Sequence, residues 1–594
     1  MNPFSVKTPE TLKPADIASL FIDVFSDFPK LLTAEHTFLH GARGTGKSMM
    51  LRYLEPQVQL AAKKVSKAAD LTHYAVHMPI KNANYSLSEL ERLDGAPYWL
   101  LAEHFLILHA CIEITSSLAI IEEQSDENVD KFQSFFDQFL ELMDEAGSQV
   151  KPPSDSESIS SFSKRIEGVL KAERSKSKKY MSMLAFNSAL LPYEDALLGH
   201  EDFLIPFVHL IRKLPITPEG PLFLMIDDAD NLPLRMQKII NGWVYYRSTN
   251  DLCLKVSTQQ KYKTWRTPQG VRIESSHDYS EIDISSVYTS KNSSLYYERV
   301  FKIVQRRLDV SESACTDPLE FFPKNELQEK AMDQIKNKIA NDWDEGHKVS
   351  KRKNDDVIRY ASSEYMKQLA RSKKTNSYSY AGFKNLVDIS SGMIRFFLEP
   401  AARMYAEMQA TNEGNTISYI PSDVQDKILY RWSEEYVLEE FERLRKDELE
   451  RSEGGDTTPE NKVESLKKLI NGIGECFQKK LLSDASERRF LSFMVTKTPD
   501  LQTQEVLDLA IEWGYLNRKS IAKKEGVGRN TLYTLNRRLA PYFKLDPSGY
   551  AAHMSVTPEA LRLATEDPGA FVRERLRENA QTRKDEEIQG SLKF

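Results

Sequence analysis

Gly41-Ala42-Arg43-Gly44-Thr45-Gly46-Lys47-Ser48 is the stretch on which the fold turns. It matches G-x-x-x-x-G-K-[ST] in full. Its glycines let backbone N–H groups turn inward around phosphates, Lys47 has the reach for the β and γ oxygens, and Ser48 suits Mg²⁺. The preceding Thr37-Phe-Leu-His40 reads as a short buried strand. Met49 to Leu54 continues as a helix whose positive end adds to the same anion site. Strand, glycine turn and helix form a βα unit, so the candidate nucleotide-binding segment runs from Gly41 to Met49.

Further strands lie on either side. Tyr74-Ala-Val-His-Met-Pro-Ile80 is one candidate, and residues 15–34 before the loop have helical spacing, with Ile17, Leu20, Phe21, Val24 and Phe25 on one face. Leu222-Phe-Leu-Met-Ile226 is a continuous apolar run, as expected of a parallel strand covered on both faces. Leu252-Cys-Leu-Lys-Val256 and Glu281-Ile-Asp-Ile284 complete an α/β pattern. The third of these five strands ends in Asp227-Asp228-Ala-Asp230. Phosphoanhydride hydrolysis needs a carboxylate on the metal and one that orients water; Asp227 is placed in the first role and Asp228 in the second. Asp228 is a short acid for that work, which predicts slow turnover or a switch-like cycle.

The 594 residues suggest several domains. A hydrophobic share of 41% excludes wholesale disorder. Lys and Arg number 80 against 87 Asp and Glu, so no chain-wide basic field exists and any nucleic-acid surface must be local. Four scattered cysteines argue against a disulfide framework or a clustered zinc site, leaving Mg²⁺ as the only metal expected. The segment Met1-Asn-Pro-Phe-Ser-Val-Lys7 lacks the apolar core of a signal peptide. Tyr98 to Ile121 carries Glu103, His104, His109 and Glu113, too many polar groups for a membrane span. A cytoplasmic protein with no membrane association is expected.

With the loop and the acid-ended strand, the chain resembles an AAA+ ATPase, most similar to the origin-recognition and helicase-loader clade. The resemblance covers about residues 15–410 and then a C-terminal module. It implies a sensor-1 position at Ser257, Thr258 or Gln259 and an arginine finger at Arg266 or Arg272. It also implies a sensor-2 arginine, Arg395, in Ser390-Ser-Gly-Met-Ile-Arg-Phe-Phe-Leu-Glu399, where a cation couples a helical lid to the phosphates. ATP and Mg²⁺ follow as cofactors, with a homo-oligomer or an ATPase partner. The Asp-Asp pair is also similar to the signal-transducing (STAND) branch, in which ATP drives oligomerisation in signalling or defence.

The expected fold class is an α/β P-loop core with a large helical insertion, an all-α lid and a C-terminal winged helix-turn-helix. The expected divisions are a nucleotide-binding domain over 1–300 (insertion about 95–205), a lid over 301–415, a helical linker over 416–483, a winged helix over 484–565 and a charged tail over 566–594. Polar Pro152–Ser158 marks a mobile tip of the insertion, and Ser452 to Pro459 marks a linker. In the C-terminal module, Glu505–Gly514, Lys519–Lys524 and Arg529–Leu539 read as three helices, with a turn at Gly526-Val-Gly528. A hairpin about Asp546-Pro-Ser-Gly549 follows. Between Leu516 and Lys544 stand eight Lys/Arg and one acid. The third helix would present Arg529, Asn530, Arg537 and Arg538 to double-stranded DNA. Basic runs at Lys348–Lys353 and Lys367–Lys374 read as solvated charges. Tyr262-Lys-Thr-Trp-Arg266 reads as a hairpin that either touches DNA or forms a surface patch.

Overall fold

The computed structural model describes residues 2–5, 9–23, 28–82, 88–122, 129–150, 162–186, 192–246, 250–259, 262–284, 293–344, 353–371, 377–411, 416–451, 458–483, 490–522, 529–548 and 552–577. The expectations for Val24 and Phe25, Pro152–Ser158, residues 452–457, 348–352, 372–374 and 523–528, and the tail beyond 577 lie outside these residues. The chain divides into two compact units, Lys7–Ser293 and Met1–Val6 with Ser294–Phe594.

In the first unit, β1 (Thr37–His40), β2 (Tyr74–Pro79), β3 (Leu222–Asp227), β4 (Leu252–Thr258) and β5 (Ser280–Asp283) form one sheet in the order β2-β3-β4-β1-β5. All four neighbouring pairs are parallel. β3 and β4 are buried along their whole length, as their unbroken apolar runs require. Only part of the helix expected over 15–34 forms. Helix α1 (Pro14–Leu20) ends at extended Phe21, and a short helix resumes at Phe28–Leu31. The break falls at Phe21, whose extended backbone (φ −73°, ψ 136°) ends the first helix.

After β1 comes helix α2 (Lys47–Tyr53). The insertion between β2 and β3 supplies α3 (Ala96–Glu122), α4 (Val129–Glu145) and α5 (Phe162–Phe186). Helix α3 is long and apolar enough to cross a membrane, yet most of its apolar stretch is buried in the unit. Between its ends it is apolar on nearly all sides because neighbours cover it there: it joins one core with the sheet, α4 and α5. Its His104 is an internal bridge. Nδ1 accepts the Leu198 N–H at 3.1 Å, which leaves Nε2 to donate to the Ser177 hydroxyl at 2.8 Å. Helix α6 (Leu234–Tyr245) follows β3.

The second unit contains α7 (Ile394–Thr411), α8 (Ser422–Arg451) and α9 (Thr458–Leu482), then a sheet of β6 (Phe490–Val495), β7 (Leu516–Ala522), β8 (Arg529–Leu535) and β9 (Ala552–Val556). The first six residues of the chain belong here. Phe4 is fully buried against Phe321 and Phe322, and the Asn2 amide donates to the Ala402 carbonyl at 2.8 Å.

This sheet corrects the reading of the C-terminal module. A single helix, α10 (Leu501–Glu512), separates β6 from β7. Among the described residues of the segments expected as second and third helices, Leu516–Ala522 and Arg529–Leu535 are instead the two strands of an antiparallel pair, with Leu516 opposite Leu535 and Ala522 opposite Arg529, and Arg537–Leu539 alone is helical, as a single 3-10 turn. Arg-Asn-Thr-Leu-Tyr-Thr-Leu over 529–535 is rich in strand-forming Thr and Tyr, and alternate residues Tyr533 and Leu535 are buried. Tyr533 stacks on Phe493 of β6 at 5.3 Å. Nor do the described residues form the hairpin expected about 546–549: Ala540–Phe543 is helical and β9 pairs parallel to β6.

Candidate nucleotide site

Parallel register brings the chemistry together at the carboxyl ends of β1, β3 and β4, where open α/β sheets bind ligands. His40 pairs with Thr258, and the next N–H, that of Gly41, donates to the Thr258 carbonyl at 3.2 Å. The loop then closes tightly. A Cβ on Gly41 would lie 2.8 Å from the Thr45 hydroxyl, so a side chain there would displace the hydroxyl that braces the loop. Gly44 and Gly46 have φ of 88° and 101°, in the left-handed region that favours glycine. The Thr45 hydroxyl donates to the Ala42 carbonyl at 2.9 Å, fixing the loop from within.

Lys47 is buried at 5% exposure, and its ammonium donates to the carbonyls of Gly41 at 2.8 Å and Ala42 at 3.3 Å. Burial lowers its pKa, against the opposing pull of Asp228, Asp227 and Asp230. Asp227 ends β3 and is itself buried. Burial alone would raise its carboxyl, but hydrogen bonds from His77, Ser257 and Ser48 and the His77 charge hold it at about 2. The Ser48 contact joins the end of the loop to the end of β3. Two hard oxygen donors side by side fit a Mg²⁺ ion, and the deprotonated carboxylate is the form that binds one.

Asp228 has a left-handed backbone, φ 58°, which costs a non-glycine residue roughly 1–2 kcal/mol. Its N–H donates to the Ser257 hydroxyl at 2.8 Å, and its carboxylate pairs with Lys81. Asp230 accepts the Gln259 N–H at 3.0 Å, and burial raises its pKa. Of the three sensor-1 candidates, Ser257 bonds Asp227, Thr258 bonds His40 Nδ1 at 2.6 Å, and Gln259 is tied through its backbone to Asp230.

Residues missed by sequence reasoning stand behind Asp227. His77 Nε2 lies 3.1 Å from its Oδ2, and Nδ1 lies 3.9 Å from Glu55, which accepts from Arg52 at 2.9 Å. A histidine in the otherwise apolar end of β2 was the available signal; only the β2–β3 pairing reveals its partner.

Arg266, Arg272, Arg537 and Arg538 have partners of their own. Arg266 and Arg272 face each other across a bridge, and Arg266 donates to the Gly270 carbonyl at 2.8 Å. Tyr262 and Trp265 pack on Phe38 rather than forming an outward aromatic patch. Arg395 belongs to the second unit, half-buried in the first turn of α7. Two of the four proposed DNA contacts are corrected. Arg537 is 3% exposed, its N–H donates to the Ser391 hydroxyl and its guanidinium faces Asp388 at 3.6 Å. Arg538 is 6% exposed, lies 4.0 Å over Trp432 and 4.2 Å over Tyr436, and donates to the Trp432 carbonyl. Both are internal pins. Arg529 and Asn530 open β8, with the Asn530 side chain half-buried.

A family model described as ORC-CDC6-like matches residues 2–556. No curated protein matches the chain.

Proposed function

Because the chain belongs to the ORC-CDC6-like family of AAA+ ATPases, we propose that its first unit binds ATP with Mg²⁺ and hydrolyses it slowly, coupling nucleotide state to duplex DNA. The observation that carries the reading is the meeting of Ser48 with Asp227 beside buried Lys47. Lys47 exchanges two neutral loop carbonyls for phosphate oxygens, trading ordinary hydrogen bonds for charge-assisted ones. Ser48 and Asp227 hold the metal, which supplies charge neutralisation on the phosphates. Asp228 orients the attacking water once Lys81 releases it. The Lys47→Ala variant tests the site: loss of ATP binding or turnover is expected, and wild-type turnover would refute it.

With Arg537 and Arg538 buried, the DNA contact is assigned to the β7–β8 pair, which carries exposed Arg518 and half-buried Lys519. β7 is the edge strand of its four-stranded sheet and its successive residues 518 and 519 point to opposite faces, so the two cations offer phosphate contacts at the sheet margin rather than base readout. Reversing both charges should weaken duplex binding and flatten its log–log salt slope by about 1.8; an unchanged slope would remove DNA from this surface.

The Asp228–Lys81 pair favours a second reading, in which ATP occupancy itself is the signal and oligomerisation the response. Turnover stimulated by duplex DNA supports the first reading, and stimulation by a protein ligand alone supports the second.

A further inference from the structure

The two ends of the insertion meet in a cavity of about 520 Å³ that the nucleotide chemistry does not use. Trp99, Leu100 and Glu103 line it from the first turns of α3, and His200, Glu201 and Asp202 from the π-helical turn that ends the insertion. Trp243 and Tyr246 close it from the end of α6. Rings dominate its walls. His200 stacks on Trp243 with centroids 5.4 Å apart and planes 21° apart, and Tyr246 continues the stack at 23°. Glu103 is held in place by the Trp243 indole N–H at 2.7 Å.

Charge restricts the occupant. Three carboxylates and no Lys or Arg stand among the described lining residues, so a phosphate-bearing ligand is repelled. A metal ion does not fit, because no group of three or more His, Cys, Asp or Glu among the described residues could hold one. What remains is a cation that also gains from flat aromatic faces. Burial lowers the His200 pKa to about 4, so near neutrality its ring is an uncharged face and does not oppose a cation. Its Nδ1 is buried without a hydrogen-bond partner.

The chain solves the same recognition problem internally. Arg538 lies over Trp432 and Tyr436 and donates to a carbonyl oxygen, so planar guanidinium, aromatic faces and oxygen acceptors already go together in this protein. The cavity offers rings and carboxylate acceptors with no cation of its own. Tyr246 and Leu100 at its mouth are 53% and 51% exposed, an apolar rim suited to the stem of an incoming side chain.

We propose that this cavity is a docking pocket for an arginine side chain presented by a partner protein. Glu201 and Asp202 form the charged pair, half-buried Trp99 and exposed Tyr246 offer the rings, and buried Trp243 backs the stack through His200. The pocket gives the insertion a role in partner recognition that is independent of ATP turnover.

The test is a titration of the full chain with acetyl-Gly-Arg-Gly-amide, followed by calorimetry or ligand saturation-transfer NMR. Parallel titrations use the citrulline peptide, which keeps the shape and loses the charge, and spermidine. The expected result is saturable binding of the arginine peptide, with the citrulline peptide and spermidine each at least about 10-fold weaker. The double variant Glu201→Gln/Asp202→Asn changes two exposed side chains. It should lose arginine-peptide binding by about 10-fold or more while keeping wild-type circular dichroism and ATPase rate. Equal affinity for arginine and citrulline, undiminished binding by the double variant, or no saturable binding would overturn the proposal. Tighter binding of spermidine would reassign the pocket to a free polyamine.

Discussion

Two buried cations, Lys47 and Arg538, show opposite uses of the same costly arrangement. Both have lost water, and burial lowers both pKa values. Arg538 has been fully provided for: aromatic rings on its faces and the Trp432 carbonyl at its edge leave it nothing further to bind. Lys47 has only the Gly41 and Ala42 carbonyls of its own loop, and three carboxylates pull on it from beyond. A cation held by replaceable neutral acceptors beside acids is poised for a multivalent anion. A cation wedged between rings is structure. Charge counting along the sequence cannot separate these cases, because Trp432 and Tyr436 lie about a hundred residues from the arginine they hold.

The sharpest way to break the comparison is to remove each cation. Lys47→Ala should lower ATP turnover by about 100-fold or more while leaving the urea midpoint near wild type. Arg538→Ala should do the reverse, leaving the first unit's ATP affinity intact and destabilising the second unit by about 3 kcal/mol through lost cation–π and hydrogen-bond contacts. A stability loss in the lysine variant, or none in the arginine variant, would erase the distinction.

The two units should also respond oppositely to acid. In the first, burial pushes His36 and His104 down to about 3 and His73 and His200 to about 4. These rings stay neutral in the fold while their unfolded counterparts charge below 6.5, so stability falls as pH drops from 6.5 towards 4. At pH 5 the loss is about 1–2 kcal/mol per histidine. In the second unit, burial raises Asp426 to about 6. Its folded form binds the extra proton between 3.8 and 6, so stability there falls as pH rises through that window. Hydrogen exchange at pH 7 and 5, corrected for intrinsic rates, should show the first unit loosening on acidification more than the second. Equal loosening would contradict the assignment.

A smaller effect probes the support behind the metal site. His77→Gln keeps a hydrogen-bonding side chain but removes the charge that steadies Asp227, so the Mg²⁺ concentration for half-maximal turnover should rise about 10-fold. No change would make the His77–Glu55–Arg52 chain a packing feature only.

What could be read in the sequence follows from how far each interaction reaches. The phosphate loop is a local pattern whose glycines answer to backbone geometry within eight residues, and the apolar runs of β3 and β4 announce strands covered on both faces. His77 joins the site through the β2–β3 register, which no spacing encodes. The module after 490 was misread because basic residues at 518–538 and the family resemblance outweighed the alternation in Thr531-Leu-Tyr-Thr-Leu535. Period-two burial of Tyr533 and Leu535 decides that segment as strand. Arg529 to Arg538 then cannot be one recognition face: its first half is sheet and its last two arginines are interior.

The most direct measurement is the affinity for ATP with Mg²⁺ and with a chelator, on wild type and on Asp227→Asn. Mg²⁺ is expected to tighten ATP binding by about 10-fold or more in the wild type, and this gain to disappear in the variant while metal-free binding persists. Absence of saturable ATP binding in the wild type, or an equal Mg²⁺ gain in both proteins, would contradict it.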